Sequence, residues 1–173
     1  MKKYELKKWE KALSWALALP LGVWIALFVL RGGLGPWRDH IEDDARESQQ
    51  IDETWLSEEG GGEELTALVF YPEDRSRSVF SLYRKDRVPL FGWHFRGGGG
   101  VPAVDGGVAE FTVEGFGERV YVSVNAPGVC RAELGSGETV ALDPERPFAI
   151  VTPCGAAFYD EEGALVESTH YGM

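Results

Sequence analysis

Residues 118–125 read Glu-Arg-Val-Tyr-Val-Ser-Val-Asn, with a valine at every second position. Successive side chains of an extended strand point to opposite faces. Val120, Val122 and Val124 therefore share one face, and Arg119, Tyr121 and Ser123 the other. A helix would spread these valines around its circumference, whereas a strand collects them on one buried side. The same character runs outward from this stretch, from Leu65 to the end of the chain. Short runs rich in Val, Phe and Tyr alternate with Gly, Pro and Asp. Strands are expected at 65–71, 77–84, 89–96, 107–114, 118–125, 129–134, 138–142, 147–152, 156–160 and 164–168. The breaks carry turn residues: Pro72-Glu73-Asp74, Gly135-Ser136-Gly137, Asp143-Pro144 and Glu162-Gly163. Eight to ten short strands with no helix between them imply an all-β fold, an antiparallel β-sandwich or a small barrel. The 109 residues of 65–173 suffice for a core of their own.

Towards the N-terminus the pattern changes completely. Residues 12–30, ALSWALALPLGVWIALFVL, place nineteen positions in a row without a charge. At about 1.5 Å per residue such a helix measures roughly 28 Å, close to the ~30 Å hydrocarbon core of a bilayer. Pro20 and Gly22 are tolerated in that setting, and Trp9, Trp15 and Trp37 suit its interfaces. Lys2, Lys3, Lys7, Lys8 and Lys11 precede the span, whereas only Arg31 and Arg38 follow before a run of acids. The excess of positive charge orients a span with that side inward. The expectation is a basic cytoplasmic tail at 1–11, a transmembrane helix at 12–31 and an extracytoplasmic β domain at 65–173. A cleaved signal peptide has a shorter apolar region and a small-x-small site, and VLRGGLG contains no A-x-A. The absence of a Cys near the end of the span excludes a lipoprotein anchor.

Between these parts lies an acidic stretch, 32–64, expected as a juxtamembrane stalk. Asp39 would cap a helix starting near His40, and Gly60-Gly61-Gly62 would end it. Ile41, Ser48 and Trp55 fall seven apart, but Asp44 and Ser48 spoil a coiled-coil seam. The formal net charge of −11 divides into +4 over 1–31, −9 over 37–64 and −6 over 65–173. An acidic exterior excludes nucleic acid as a partner and disfavours general adhesion to anionic headgroups. The bilayer, through 12–31, is the expected partner.

No catalytic, cofactor or metal motif emerges. Gly97-Gly98-Gly99-Gly100 resembles a phosphate cradle, yet Val101-Pro102 follow it where a P-loop needs Lys-Ser/Thr and a helix. A mobile strand connection is the simpler expectation. Tyr71, Phe91, Trp93, Phe95 and Tyr121 are either core rings or a flat surface for a polysaccharide. Trp93, His94, Arg96, Tyr71 and Tyr121 are the candidate ligand or partner surface. His40, His94 and His170 lack metal-ligand spacing. Cys130 and Cys154, the only cysteines, are candidates for a disulfide contributing about 3 kcal/mol, with two separate buried thiols as the alternative. The function that follows is a membrane-anchored binding module of the cell envelope, recognising an envelope protein or polysaccharide. A small accessory subunit of a membrane complex, or an envelope hydrolase using carboxylates, are the alternatives.

Overall fold

The computed structural model describes residues 8–30 and 33–173. The chain divides into two compact units, Met1–Gly35 and Pro36–Met173. In the first unit a single helix, α1 (Lys8–Leu30), contains Pro20. Its stretch Leu13–Leu30 is long and apolar enough to cross a bilayer, and none of it is buried within the protein. Gly33, in the left-handed region at φ +93°, donates its N–H to the Phe28 carbonyl at 2.9 Å and closes the helix. The greater part of the expected basic tail, residues 1–7, lies outside the described residues, as does Arg31.

The second unit is mostly β. A 3-10 turn at Arg38–His40 leads into α2 (Ile41–Gln49). Twelve strands follow among the described residues: β1 (Leu56–Gly61), β2 (Leu65–Tyr71), β3 (Val79–Lys85), β4 (Trp93–Gly99), β5 (Val108–Thr112), β6 (Arg119–Ser123), β7 (Val129–Leu134), β8 (Thr139–Ala141), β9 (Phe148–Thr152), β10 (Ala156–Asp160), β11 (Leu165–Val166) and β12 (Ser168–Gly172). A short helix, α3 (Pro102–Gly106), sits between β4 and β5. The strands form three four-stranded sheets, ordered β1-β2-β3-β4, β12-β5-β6-β9 and β11-β10-β7-β8.

Three apolar clusters connect these layers. Leu65, Ala67, Val69, Phe80 and Leu82 of the first sheet meet Ala109, Phe111, Val120 and Val122 of the second. At the centre the rings of Phe80 and Phe111 stack with centroids 4.3 Å apart. Ile41 and Ala45 of α2 cover Leu68, Phe70, Tyr83 and Trp93 on the opposite side of the first sheet. Val108, Tyr121 and Phe148 join Val129, Ala132 and Phe158 of the third sheet. The valine alternation that opened the sequence reading thus has its physical cause. Val120 and Val122 point into the first cluster, while Tyr121 between them points into the third.

Four expectations change. The acidic stretch does not stand away as a solvated stalk over its whole length, because α2 and β1 fold onto the first sheet. The acids Glu42, Asp43 and Glu47 lie on the water side of α2, and Ile41 and Ala45, four apart, lie on the buried side. Strand β1, LSEEGG, lacks an apolar pattern because it is an edge, and Gly60 passes very close to β9. A Cβ at Gly60 would stand 2.4 Å from the Ala149 backbone. The strand count exceeds eight to ten, and one pairing, β12 with β5, is parallel rather than antiparallel. The glycines after Arg96 form no loose connection through Gly99: Gly97, Gly98 and Gly99 continue β4 against β3.

Because α2 is part of the core, Ile41→Ala in residues 36–173 should lower stability by about 2–5 kcal/mol, read from the urea midpoint. A fragment starting at Leu65, which removes both α2 and β1, should show no cooperative transition. Equal midpoints for the fragments starting at Pro36 and Leu65 would contradict this packing.

Candidate functional site

The parallel register places His170 beside Glu110, and the antiparallel register places Glu110 beside Tyr121. The three side chains therefore form a row across the second sheet, on the face opposite Ala109 and Phe111. Arg119, two residues before Tyr121, shares this face and donates from Nη1 to Glu110 Oε1 at 2.8 Å. Ser168 Oγ lies 3.4 Å from Glu110 Oε2, and His170 Nδ1 lies 3.8 Å from Oε1. His170 Nε2 is 3.4 Å from the Thr112 hydroxyl. The third sheet covers the row only in part, reaching it where Ala156 donates its N–H to the Tyr121 hydroxyl at 3.1 Å.

A carboxylate this deep requires compensation, since burial disfavours an unpaired charge. Glu110 is almost buried, whereas the Arg119 and His170 side chains are about half exposed. The hydrogen bond to Glu110, followed by that to Tyr121, raises the Arg119 guanidinium further above its usual value. Burial, reinforced by the charge of Glu110, pushes the Tyr121 phenol up. Both groups therefore stay protonated at neutral pH. Glu110 is held as an acceptor beneath Arg119, which remains half exposed, and a guanidinium has five N–H groups to offer. Such a surface can bind carboxylate or hydroxyl groups.

A second carboxylate is committed to structure. Glu118 accepts backbone N–H bonds from Glu63, Glu64 and Leu65 at 2.7, 3.0 and 2.7 Å. The turn before β2 is an amide nest of the kind that binds anions, and here the protein's own carboxylate fills it. The adjoining cleft of about 490 Å³ is bordered by Gly61, Gly62, Gly117, Val151 and Pro153. Among the described residues no group of three or more His, Cys, Asp or Glu is placed to hold a metal ion.

The candidates nominated from sequence do not converge. Trp93 is buried against α2, with the Arg38 guanidinium 5.6 Å from its ring centroid. Tyr71 belongs to the central cluster, its hydroxyl 3.5 Å from Glu58, and Tyr121 belongs to the third. Three rings thus serve three separate cores. His94 is half-buried, with Nε2 3.7 Å from Asp86 Oδ2, and Arg96 is exposed. Of the aromatic trio, Phe91 and Trp93 are buried while Phe95 is 44% exposed, edge-on to Tyr83.

Cys130 and Cys154 are free thiols, which corrects the expected bridge. A Cβ on Gly135 would lie 2.9 Å from the Cys154 Cβ, while Cys130 is five residues back along β7. At ~3.3 Å per residue this is roughly 16 Å, against the ~7 Å that a disulfide allows. Cys130 instead donates to the Asp160 carbonyl at 3.2 Å. The Glu110–Arg119–His170 row was missed, although a signal for it exists. An acid between Ala109 and Phe111 of a buried strand demands a cation, and Arg119, opposite Thr112 on the next strand, reaches it along the diagonal.

The chain is thus an apolar helix followed by a three-sheet β unit with a charged row on its middle sheet. Compared with family models, curated proteins and solved structures, it matches none.

Tyr83 supplies a pH test of the α2 contact. Its hydroxyl donates to Asp44 Oδ2 at 2.6 Å. Burial, then this bond and the Asp44 charge, raise the phenol well above its ordinary value. A tyrosine titrates near pH 10 when unfolded, so the stabilisation is complete below about pH 10 and is lost as pH rises towards the folded value. The urea midpoint of 36–173 should fall above about pH 10, and Tyr83→Phe should flatten that fall. An unchanged alkaline limb in the variant would remove Tyr83 from the account.

Proposed function

We propose that this chain is a single-pass membrane protein that holds its β unit outside the cytoplasm as a binding module of the cell envelope. One observation carries the reading: an exposed apolar helix of bilayer length precedes a unit with a complete core of its own. A helix apolar around its whole circumference needs an apolar surrounding. The lysines before it favour an N-terminus inside the cytoplasm, and Trp15 and Trp37 suit the two interfaces. We read the three sheets as a layered, sandwich-like stack, a scaffold that presents surfaces more readily than it encloses a reaction. The partner surface is the row Arg119–Glu110–His170, with Thr112 and Ser168 beside it. Its donors suit an envelope polysaccharide or protein that offers carboxylate and hydroxyl groups.

Two measurements test this. A reporter active only outside the cytoplasm, fused after Met173, should be active, and activity of a cytoplasm-only reporter at that position would reverse the orientation. Immobilised full-length protein should retain an acidic envelope polysaccharide, and Arg119→Ala combined with His170→Ala should reduce that retention at least tenfold, a loss of ~1.4 kcal/mol. Undiminished retention would move the binding surface elsewhere.

A second reading, an accessory subunit of a membrane complex, is favoured by Ser14, Ala18, Gly22 and Ala26. They recur every four residues along α1, and a Cβ on Gly22 would meet nothing within 4 Å. Small residues on one ridge let membrane helices approach closely.

A further inference from the structure

From the way the chain enters the β unit, we infer that the corner formed by Trp37 and the β3–β4 hairpin tip is a second contact with the phospholipid interface. This rests on the reading of α1 as a membrane span, and it concerns a surface that reading does not require.

The entry is tightly defined. Gly33 is still bonded to the end of α1 through Phe28. Three residues later the Pro36 carbonyl accepts the N–H of Trp93, the first residue of β4, at 3.0 Å. Three Cα steps of ~3.8 Å allow at most about 11 Å between Gly33 and Pro36. With α1 in a bilayer, covalent length alone keeps Pro36, to which β4 is bonded, within about that distance of Gly33.

The base of β4 carries the neck of a hairpin. Lys85 pairs with Trp93 across β3 and β4, and Asp86 donates its N–H to the Gly92 carbonyl at 2.9 Å. The intervening tip is held by local hydrogen bonds. Asp86 Oδ1 accepts the Val88 N–H at 2.7 Å, Phe91 donates to the Val88 carbonyl at 3.0 Å, and Gly92 turns back at φ +70°. Apolar side chains that such a tip leaves in water favour an apolar partner. Val88 is 41% exposed and Leu90 54%, and Trp37, next to the entry point, is 62% exposed. In Pro36–Met173 the other large apolar side chains exposed to this degree are Leu56, Phe95 and Leu165, which lie on separate strands.

Charge agrees with the same partner. The second unit is strongly acidic, yet Arg38, Arg84, Lys85 and Arg87 fall beside this corner. The acids in the same stretches are Asp39 and Asp86, and Arg38 is also paired with Glu59 at 3.4 Å, which leaves Arg84, Lys85 and Arg87 as the basic groups of the tip. Asp86 is buried, its carboxylate turned to the Val88 amide and lying 3.7 Å from His94, while Arg87 and Lys85 are exposed. Aromatic and aliphatic side chains with basic residues around them match the boundary between headgroups and acyl chains. Such a contact would hold one face of the β unit towards the membrane and leave the Arg119–His170 row to other partners.

The test uses the full chain with Cys130→Ser and Cys154→Ser, carrying one new cysteine labelled with an environment-sensitive fluorophore. The protein is reconstituted into phosphatidylcholine vesicles containing a nitroxide lipid labelled near the headgroup. Labels at Leu90→Cys and Val88→Cys should show blue-shifted emission and be quenched, whereas a label at Leu165→Cys should emit as in water and remain unquenched. A label at Val23→Cys separates the two readings. Quenching at 23 with water-like emission at 88 and 90 overturns this inference and leaves the anchor intact. No quenching at 23 overturns both. Equal quenching at 90 and 165 marks unspecific adhesion and also overturns the corner contact.

Discussion

Strand β2 is the constraint on which the remainder of this structure depends. All seven residues from Leu65 to Tyr71 are buried, so neither face of the strand can meet water. Side chains alternate along it, and the two faces therefore need separate covers. The second sheet provides one through Ala109, Phe111, Val120 and Val122, and α2 provides the other through Ile41 and Ala45. The apolar run explains why an acidic segment that reads as solvent-exposed is drawn into the domain: it supplies the missing lid. With β3 on one side of β2, β1 takes the other and forms the edge of the sheet.

The parts legible in the sequence were those dictated by local periodicity. The runs at 65–71, 129–134 and 156–160 are strands over those same residues, because apolar β-branched and aromatic side chains end there at turn residues. Alternation in 118–125 correctly separates Val120 and Val122 from Tyr121. What escaped was set by partners far away in the chain. Nothing local in LSEEGG announces a strand, because its ladder belongs to β2 and its glycine answers to Ala149. The final strand pairs in parallel with β5, some sixty residues earlier, which a search for adjacent hairpins does not find. Tyr71, Trp93 and Tyr121 were rightly singled out as large rings, but periodicity cannot say which cluster each one fills. The candidate site was legible only as an anomaly, one acid in the buried strand VAEFT.

Buried acids show the same dependence on distant partners. Glu110, Glu118 and Asp86 all sit in the least exposed part of an acidic protein, where an uncompensated charge is costly. Each is satisfied differently. Glu118 takes three backbone amides, Glu110 takes a guanidinium, and Asp86 takes the amide of a turn. Both oxygens of Glu118 are engaged by backbone amides of the turn before β2, so it reads as structure. Glu110 differs because its partner Arg119 is itself half exposed. A charge fixed from below and open from above is pre-organised for a ligand, which loses less freedom on meeting donors that are already oriented.

The row and the chain's entry into the β unit fall on different sheets. The chain enters the β unit at Pro36, which is bonded to β4 at the far edge of the first sheet. The row lies on the second sheet, on the face that looks away from the first. The apolar cluster shared by these two sheets therefore lies between the entry strand and the donors. An occupant on the outer face of one sheet therefore leaves the outer face of the other uncovered.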